Sequence, residues 1–383
     1  MRKSKIIKAI AVALVILFLL PAVPPVILLV SGRIDRGRCE KMQVEHMEAL
    51  RERYADPGFE PVAEGNFTAF DLPAALEGGV KLNEVQFLAT HNSYKRPLSP
   101  AARLAMNVIG LPLGLTAVKD EFDYGFEPLT AQLDRGIRSL EFDLMRDGED
   151  FRVGHIGVLD MNSNCPDFLL ACREIRMWSE ANPGHLPITL LLEAKSAILA
   201  DGALYKPFDA QGLQLLESAI EQAFGDMLLT PGEVLGEYEN FAALRQKDAW
   251  PPLRGLLGKI LVIYHYADGT TGEYIAADPS LRTQKMFPAL WYPLLDEVNT
   301  EYASFVLCNE PLDYAGEIAA FTAENLLVRT RLDMHNYPDR ERSHTSGAAS
   351  GAMLLSTDYP PRGEAGEDGY TALLEGRYTV RLR

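Results

Sequence analysis

From Leu82 to the C-terminus the chain alternates short apolar runs, rich in Val, Ile, Leu and Phe, with longer stretches in which apolar residues recur at helical spacing. That alternation predicts parallel β/α units. Eight runs read as strands: Val85–Ala89, Arg138–Leu144, Phe151–His155, Ile188–Glu193, Lys259–Tyr264, Ser304–Leu307, Leu326–Thr330 and Met353–Thr357. Helical patterns lie between several of them, including Asp167–Asn182 and Ala210–Phe224. Eight such strands over about 300 residues predict a closed TIM-type (β/α)8 barrel, an α/β fold that carries its chemistry where the strands end. Upstream, residues 33–80 are charged and broken by Pro57, Gly58, Pro61, Gly65, Gly78 and Gly79, and read as a short helix, Cys39–Arg53, followed by a spacer. Ala9–Val30 carries no charge at all and follows Arg2, Lys3, Lys5 and Lys8. The expected organisation is therefore a membrane segment over 1–32, a linker over 33–80 and one barrel over 81–383.

Composition narrows the function. With 47% apolar residues the chain is no disordered polyelectrolyte. Lys and Arg total 37 against 53 Asp and Glu, a net charge of −16 without a basic tract, which excludes a nucleic-acid binder because phosphate neutralisation supplies most of that affinity. At about 1.5 Å rise per residue, Ala9–Val30 is long enough to cross a bilayer core of roughly 30 Å. It reads as an uncleaved anchor, with a signal peptide cleaved near Val30-Ser31-Gly32 as the alternative set up by Pro21, Pro24 and Pro25. Either way the basic flank stays in the cytoplasm and the remainder is exported, anchored to the membrane or released as a secreted or periplasmic protein. Export permits disulfides, and Cys165 and Cys172, seven apart, are the expected pair; Cys39 and Cys308 remain open. The absence of any Cys-x-x-Cys spacing speaks against a thiolate zinc site.

The strand ends hold the chemistry. The first run ends in His91-Asn92, the second in Glu141-x-Asp143, the third in His155 and the fourth in Glu193-x-Lys195; later runs end near Asn309, in Arg329-x-Arg331 and in Asp358. Core strands rarely carry ionisable groups unless these are paired or ligated, so a polar mouth is the natural reading. Glu141 and Asp143, two apart on one strand, project from the same face and repel. With Glu193 and the amide of Asn92 they form four hard oxygen donors suited to Ca2+. The competing reading pairs these acids with Arg138, Lys195, Arg329 or Arg331 in a structural ion network. His91 and His155 add acid/base groups near neutrality, fit for a phosphodiester. His185 and His265 read as plain structural histidines.

The segments Leu-Ala-Thr-His-Asn-Ser-Tyr, Pro-Leu-Thr-Ala-Gln-Leu-Asp-Arg-Gly-Ile-Arg-Ser-Leu-Glu-Phe-Asp, Gly-His-Ile-Gly, Leu-Leu-Leu-Glu-Ala-Lys and Leu-Leu-Ser-Thr-Asp-Tyr-Pro, in this order, resemble the Ca2+-dependent phosphoinositide phospholipase C family, in the bacterial-type branch with only the catalytic barrel. The resemblance runs from about Leu82 to the C-terminus. It implies a phosphoric diester hydrolase that cleaves phosphatidylinositol-type lipids to diacylglycerol and a cyclic inositol phosphate. By it His91 would stabilise the pentacoordinate phosphorane and His155 would protonate the departing oxygen. Asn92, Glu141, Asp143 and Glu193 would hold Ca2+, with Glu141 or Glu193 doubling as the base. Lys195, Arg329 and Arg331 would hold phosphate or ring hydroxyls. No lipid-targeting module accompanies the barrel, so delivery would fall to the N-terminal segment or to the apolar stretch Leu104–Val118, which otherwise packs on the barrel top. The rival readings are a glycerophosphodiester phosphodiesterase, whose first motif usually reads His-Arg-Gly where this chain has His91-Asn92, and a membrane-anchored envelope protein without turnover.

Overall fold

A computed structural model describes residues 23–104, 107, 123–155, 160–195, 205–265, 270–334, 339–362 and 369–383. Its strands are β1 (Val85–Thr90), β2 (Ser139–Asp147), β3 (Asp150–Val153), β4 (Ile188–Ala194), β5 (Leu228–Leu229), β6 (Ile260–His265), β7 (Phe287–Trp291), β8 (Phe305–Leu307), β9 (Leu327–Arg331), β10 (Leu354–Thr357) and β11 (Val380–Leu382). Eight of them pair in parallel in the circular order β1-β2-β4-β6-β7-β8-β9-β10, and β10 returns to β1 to close the barrel. The predicted TIM-type barrel is the observed fold.

Two of the sequence expectations for its staves need correction. Phe151–His155 is not a barrel stave: β3 runs antiparallel to β2 as the second arm of a hairpin. Only residues 148–149 separate β2 from β3, too few for the crossover that a parallel pair demands, and Gly148 takes the turn at φ 72°. The missing stave is β7, whose run Phe-Pro-Ala-Leu-Trp carries Pro288 and so does not read as a core strand.

Alternation along each stave sorts the core into two layers. Phe87, Leu191, Ile263, Phe287, Phe305, Leu327 and Leu354 fill the barrel, while Leu88, Leu190, Leu192, Val262, Val306 and Val328 face outward against Ile175, Trp178, Leu216, Ile220 and Phe321 of the surrounding helices. The inward parity of Leu191 is the parity of Glu193, and that of Leu327 is the parity of Arg329. Moving toward the C-terminal strand ends, the interior therefore passes from hydrocarbon to charge.

The segment expected as a linker is part of the packed structure. One helix runs from Val23 to Ala55, well beyond the expected Cys39–Arg53. Ser31, Asp35, Cys39, Gln43 and Met47, four residues apart, are buried, and so is Leu50. Gln43 exchanges hydrogen bonds with the backbone of Asp167 at 2.9 and 3.0 Å, and His46 meets Glu174 at 3.1 Å. Half of that stripe is polar, so hydrophobic periodicity alone does not reveal the docking face. Downstream, Glu64 pairs with the fully buried Arg138 beneath the barrel, which removes Arg138 from the candidate partners of the acids at the mouth.

The expected Cys165–Cys172 disulfide is absent. All four cysteines are free and buried, Cys165 and Cys172 among the apolar side chains that pack the helix Phe168–Ala181 against the barrel. A short sequence separation does not suffice to bring two Cβ atoms into bridging geometry. Among the described residues no helix is long and apolar enough to cross a membrane. The expected membrane segment lies outside the described residues up to position 22, as does Leu104–Val118 apart from Leu104 and Asn107.

Candidate active site

At the C-terminal end of the barrel, Glu141 and Asp143 of β2 and Glu193 of β4 each place a carboxylate oxygen within 4.8 Å of the other two. The ladder explains the convergence: Asp143 lies beside Glu193 in the parallel register, and Glu141 stands one inward position below. Three acids so close cannot share an apolar interior without cations. Arg329, fully buried, donates to Glu141 and Asn309, and to the Ser356 hydroxyl at 3.0 Å. Lys195 reaches Glu193 at 2.7 Å and Asp143 at 3.1 Å. Part of the ion-network reading is thus present in the structure, through Arg329 and Lys195.

The network does not satisfy every oxygen. Both carboxylate oxygens of Asp143 are buried and accept no hydrogen bond of proper geometry; Lys195 touches one as a bare charge contact. Burial pushes the Asp143 carboxyl up, with Glu193 and Glu141 adding to the rise. Burial acts the same way on Glu193, but the Lys195 ammonium more than reverses it and holds that group low. A pocket of three carboxylates, one of them without a hydrogen-bond donor, has the hard-oxygen chemistry and the charge deficit that a Ca2+ ion fills. Asn92 stands beside it. Its neighbour Ser93 exchanges hydrogen bonds with the Glu141 backbone at 2.7 and 3.0 Å. The Asn92 backbone is left-handed at φ 51°, which asparagine tolerates better than most residues, and its amide is pinned between the hydroxyls of Tyr124 at 2.8 Å and Tyr94 at 3.3 Å. The Tyr124 bond uses the amide nitrogen and the Tyr94 hydroxyl donates to the carbonyl oxygen, whose second lone pair is the available ligand site.

His91 follows β1 and is held at both ring nitrogens. Nδ1 meets Asp358 Oδ1 at 2.7 Å, and Arg331 donates to Nε2 at 3.1 Å. A guanidinium can only donate, so Nε2 is the acceptor and the ring proton sits on Nδ1, pointing at Asp358. Burial and the nearby Arg331 charge lower the His91 pKa, against the opposing pull of Asp358 and Glu141. His155 lies just beyond β3, at the end of the hairpin rather than of a stave, with Nδ1 3.2 Å from Asp160 Oδ2 and its backbone N–H donating to the Asp160 carbonyl at 3.0 Å. Asp160 is in turn paired with the buried Lys95 at 2.6 Å. His155 contributes to the field at Asp143, which sets it on the same side of the mouth as the carboxylates.

Each histidine thus has a carboxylate that sequence reasoning left without a role. Asp358 was visible only as the end of a run, because its partnership with His91 exists only through barrel closure. Asp160, five residues after His155, carries no spacing signal. His185 is structural as expected: it bonds Ser179 and the Leu186 carbonyl, both at 2.6 Å. His265 lies nearer the chemistry than expected, beside Glu193 in the ladder and stacked on Trp291 at 4.7 Å.

The sequence profile of the family described as phosphoinositide phospholipase C, Ca2+-dependent, matches residues 80–151 and 148–383. No curated protein matches the chain. Among solved structures, the apo calcium-dependent phosphoinositol-specific phospholipase C of a Pseudomonas species is similar over 82% of this chain and 99% of its own, at 18% identity and a TM-score of 0.56. Its myoinositol complex gives the same coverage at 19% identity and the same TM-score. The Ca2+-dependent phosphatidylinositol-specific phospholipase C of Streptomyces antibioticus is similar over 73% of this chain and 95% of its own, at 21% identity and a TM-score of 0.53.

Proposed function

Since the chain belongs to the Ca2+-dependent phosphoinositide phospholipase C family, we propose that its barrel mouth cleaves phosphatidylinositol, the unphosphorylated lipid, to diacylglycerol and a 1,2-cyclic inositol phosphate. The enzyme is a calcium-dependent phosphodiesterase with a phosphoinositide lipid substrate. The finer reading rests on one observation: three carboxylates within 4.8 Å of one another, flanked by two histidines that each carry a carboxylate partner.

Asn92, Glu141, Asp143 and Glu193 would hold the ion, and their donor chemistry fits it. When bound, Ca2+ lowers the pKa of the inositol 2-hydroxyl and offsets charge on the phosphoryl group. Glu141 or Glu193 takes the proton from that hydroxyl, and the oxygen attacks phosphorus. Arg331, and His91 through Nε2 once that nitrogen carries a proton while Nδ1–H stays on Asp358, would stabilise the charge that develops on the phosphoryl oxygens. His155, backed by Asp160, delivers a proton to the departing diacylglycerol oxygen. Lys195 and Arg329 counter the substrate's negative charge in a chain that is acidic overall. The glycerophosphodiester and non-catalytic readings are set aside in favour of the family match.

For delivery to lipid, residues 9–30 would serve as an anchor that leaves the barrel outside the cytoplasm. The uncharged run behind four cations supports it. Alkaline extraction of membranes from cells making the full chain separates an anchored protein, which stays in the pellet, from a released one. The catalytic reading is tested by 31P NMR of phosphatidylinositol vesicles. A cyclic inositol phosphate signal that appears with Ca2+, vanishes with chelator and is absent for His91→Ala is the expected result; turnover of glycerophosphocholine instead would overturn it.

A further inference from the structure

The described residues hold five buried cations of two kinds. Arg138, Arg146, Arg329 and Lys95 each meet a carboxylate, respectively Glu64, Asp209, Glu141 and Asp160. Arg245 is 4% exposed and has no carboxylate within ion-pair distance among the described residues. Its guanidinium donates to two backbone carbonyls, Val298 at 2.8 Å and Glu324 at 3.1 Å, while Nε is buried without any acceptor. Burial lowers its pKa, with the charge of Glu324 acting partly against it.

Arg245 lines a cavity of about 270 Å3 together with Ala242, Gln246, Asn299, Glu324 and Asn325. The cavity lies before the N-terminal ends of β8 and β9, at the end of the barrel opposite the carboxylate cluster. Its wall offers one fixed positive charge, three carboxamides and the carboxylate of Glu324. An arginine without a carboxylate partner at the wall of a polar cavity supplies the charge that an anion's oxygen matches, and the amides can orient it. Glu324 disfavours a bare dianion and suits a ligand that also presents a hydroxyl.

We propose that this cavity binds a small hydroxylated oxyanion, of the size of hydrogen phosphate or a short hydroxy acid, with Arg245 as its charge partner. The site is independent of the catalytic reading. The three tryptophans make the test local. Trp250 donates its indole N–H to the Asn325 carbonyl at 2.7 Å and so reports the cavity wall; Trp291, stacked on His265, reports the catalytic mouth; Trp178 reports the core. The full chain, labelled with 15N-tryptophan and kept in Ca2+, is titrated at constant ionic strength with inorganic phosphate in one arm and glycerate in the other. The expected result is a saturable movement of the Trp250 resonance in at least one arm, identifying the ligand class, with apparent affinity reduced at least tenfold in Arg245→Gln. Ala242→Leu, which fills the cavity and leaves the guanidinium in place, should abolish the movement and serves if the arginine variant fails to fold. A Trp250 resonance unmoved by both anions, or moved equally in either variant, overturns the proposal; movement of Trp291 alone assigns the anion to the catalytic mouth and overturns it as well.

Discussion

His91 and Asp358 lie 267 positions apart and meet at 2.7 Å, because β1 and β10 are neighbours where the barrel closes. The contact fixes the ring proton on Nδ1 and turns Nε2 toward Arg331. In the proposed mechanism Asp358 acts through His91, as a positioning residue. Asp358→Asn should lower kcat by about 10- to 100-fold, the range typical of lost support behind a functional histidine, with KM little changed. A kinetic comparison on phosphatidylinositol vesicles decides it, and an unchanged kcat would remove Asp358 from the machinery.

In the proposed mechanism His155 is the proton donor, a role separable from binding. His155→Ala should lose about 10^2- to 10^4-fold on a lipid substrate, whose alkoxide leaves poorly without a proton. The loss should shrink markedly on a p-nitrophenyl inositol phosphate, whose leaving group needs none. Equal losses on both substrates would assign His155 to another task.

Asp143 carries the clearest sign of an expected cation, since both its oxygens are buried without a hydrogen bond. Asp143→Asn should weaken Ca2+ binding more than about tenfold by calorimetry. In chelator its melting temperature should match or exceed that of the parent, because a buried charge with poor partners is gone. Calcium affinity left intact by this change would take Asp143 out of the ligand set.

Arg329 makes the opposite prediction. Replacing it with Met leaves Glu141 buried beside Asp143 without its cation, at a cost of about 3–5 kcal/mol. Urea unfolding in chelator should show that loss, and added Ca2+ should recover more stability in Arg329→Met than in the parent protein.

Stability should also depend on pH through His185. Burial holds this histidine at about 4, against an ordinary value of 6.5, and its two bonds suit the neutral ring. Between those values the unfolded chain binds more protons than the folded one, so stability rises with pH across the window and the contribution is flat above it. The slope is at most about 1.4 kcal/mol per pH unit. Urea midpoints at pH 5 and pH 7.5 should differ more for the parent than for His185→Gln; identical differences would place the acid sensitivity elsewhere.

Period and parity carried the barrel. Seven of the eight staves follow from apolar runs alone, and the acids at their ends were legible because an ionisable group on a core strand conflicts with burial. What escaped the sequence depends on contact between distant or locally irregular segments. Pro288 hides β7, and the two-residue turn at residues 148–149 converts an apparent stave into a hairpin arm. Asp160 is found only when the loop folds back on His155. The docking of the helix Val23–Ala55 was masked by its own polar residues, since Asp35 and Gln43 occupy the buried stripe where apolar side chains would have announced it.

The seam between the first and last staves has a temporal consequence. During synthesis, β2 and β4 can bring Glu141, Asp143 and Glu193 together early, yet the imidazole of His91 lacks its carboxylate until residues 354–358 emerge and the ring shuts. Lipid cleavage is therefore among the last properties a growing chain acquires. An incomplete molecule would carry the three acids while its first histidine is unoriented, and so would fall short of lipid cleavage.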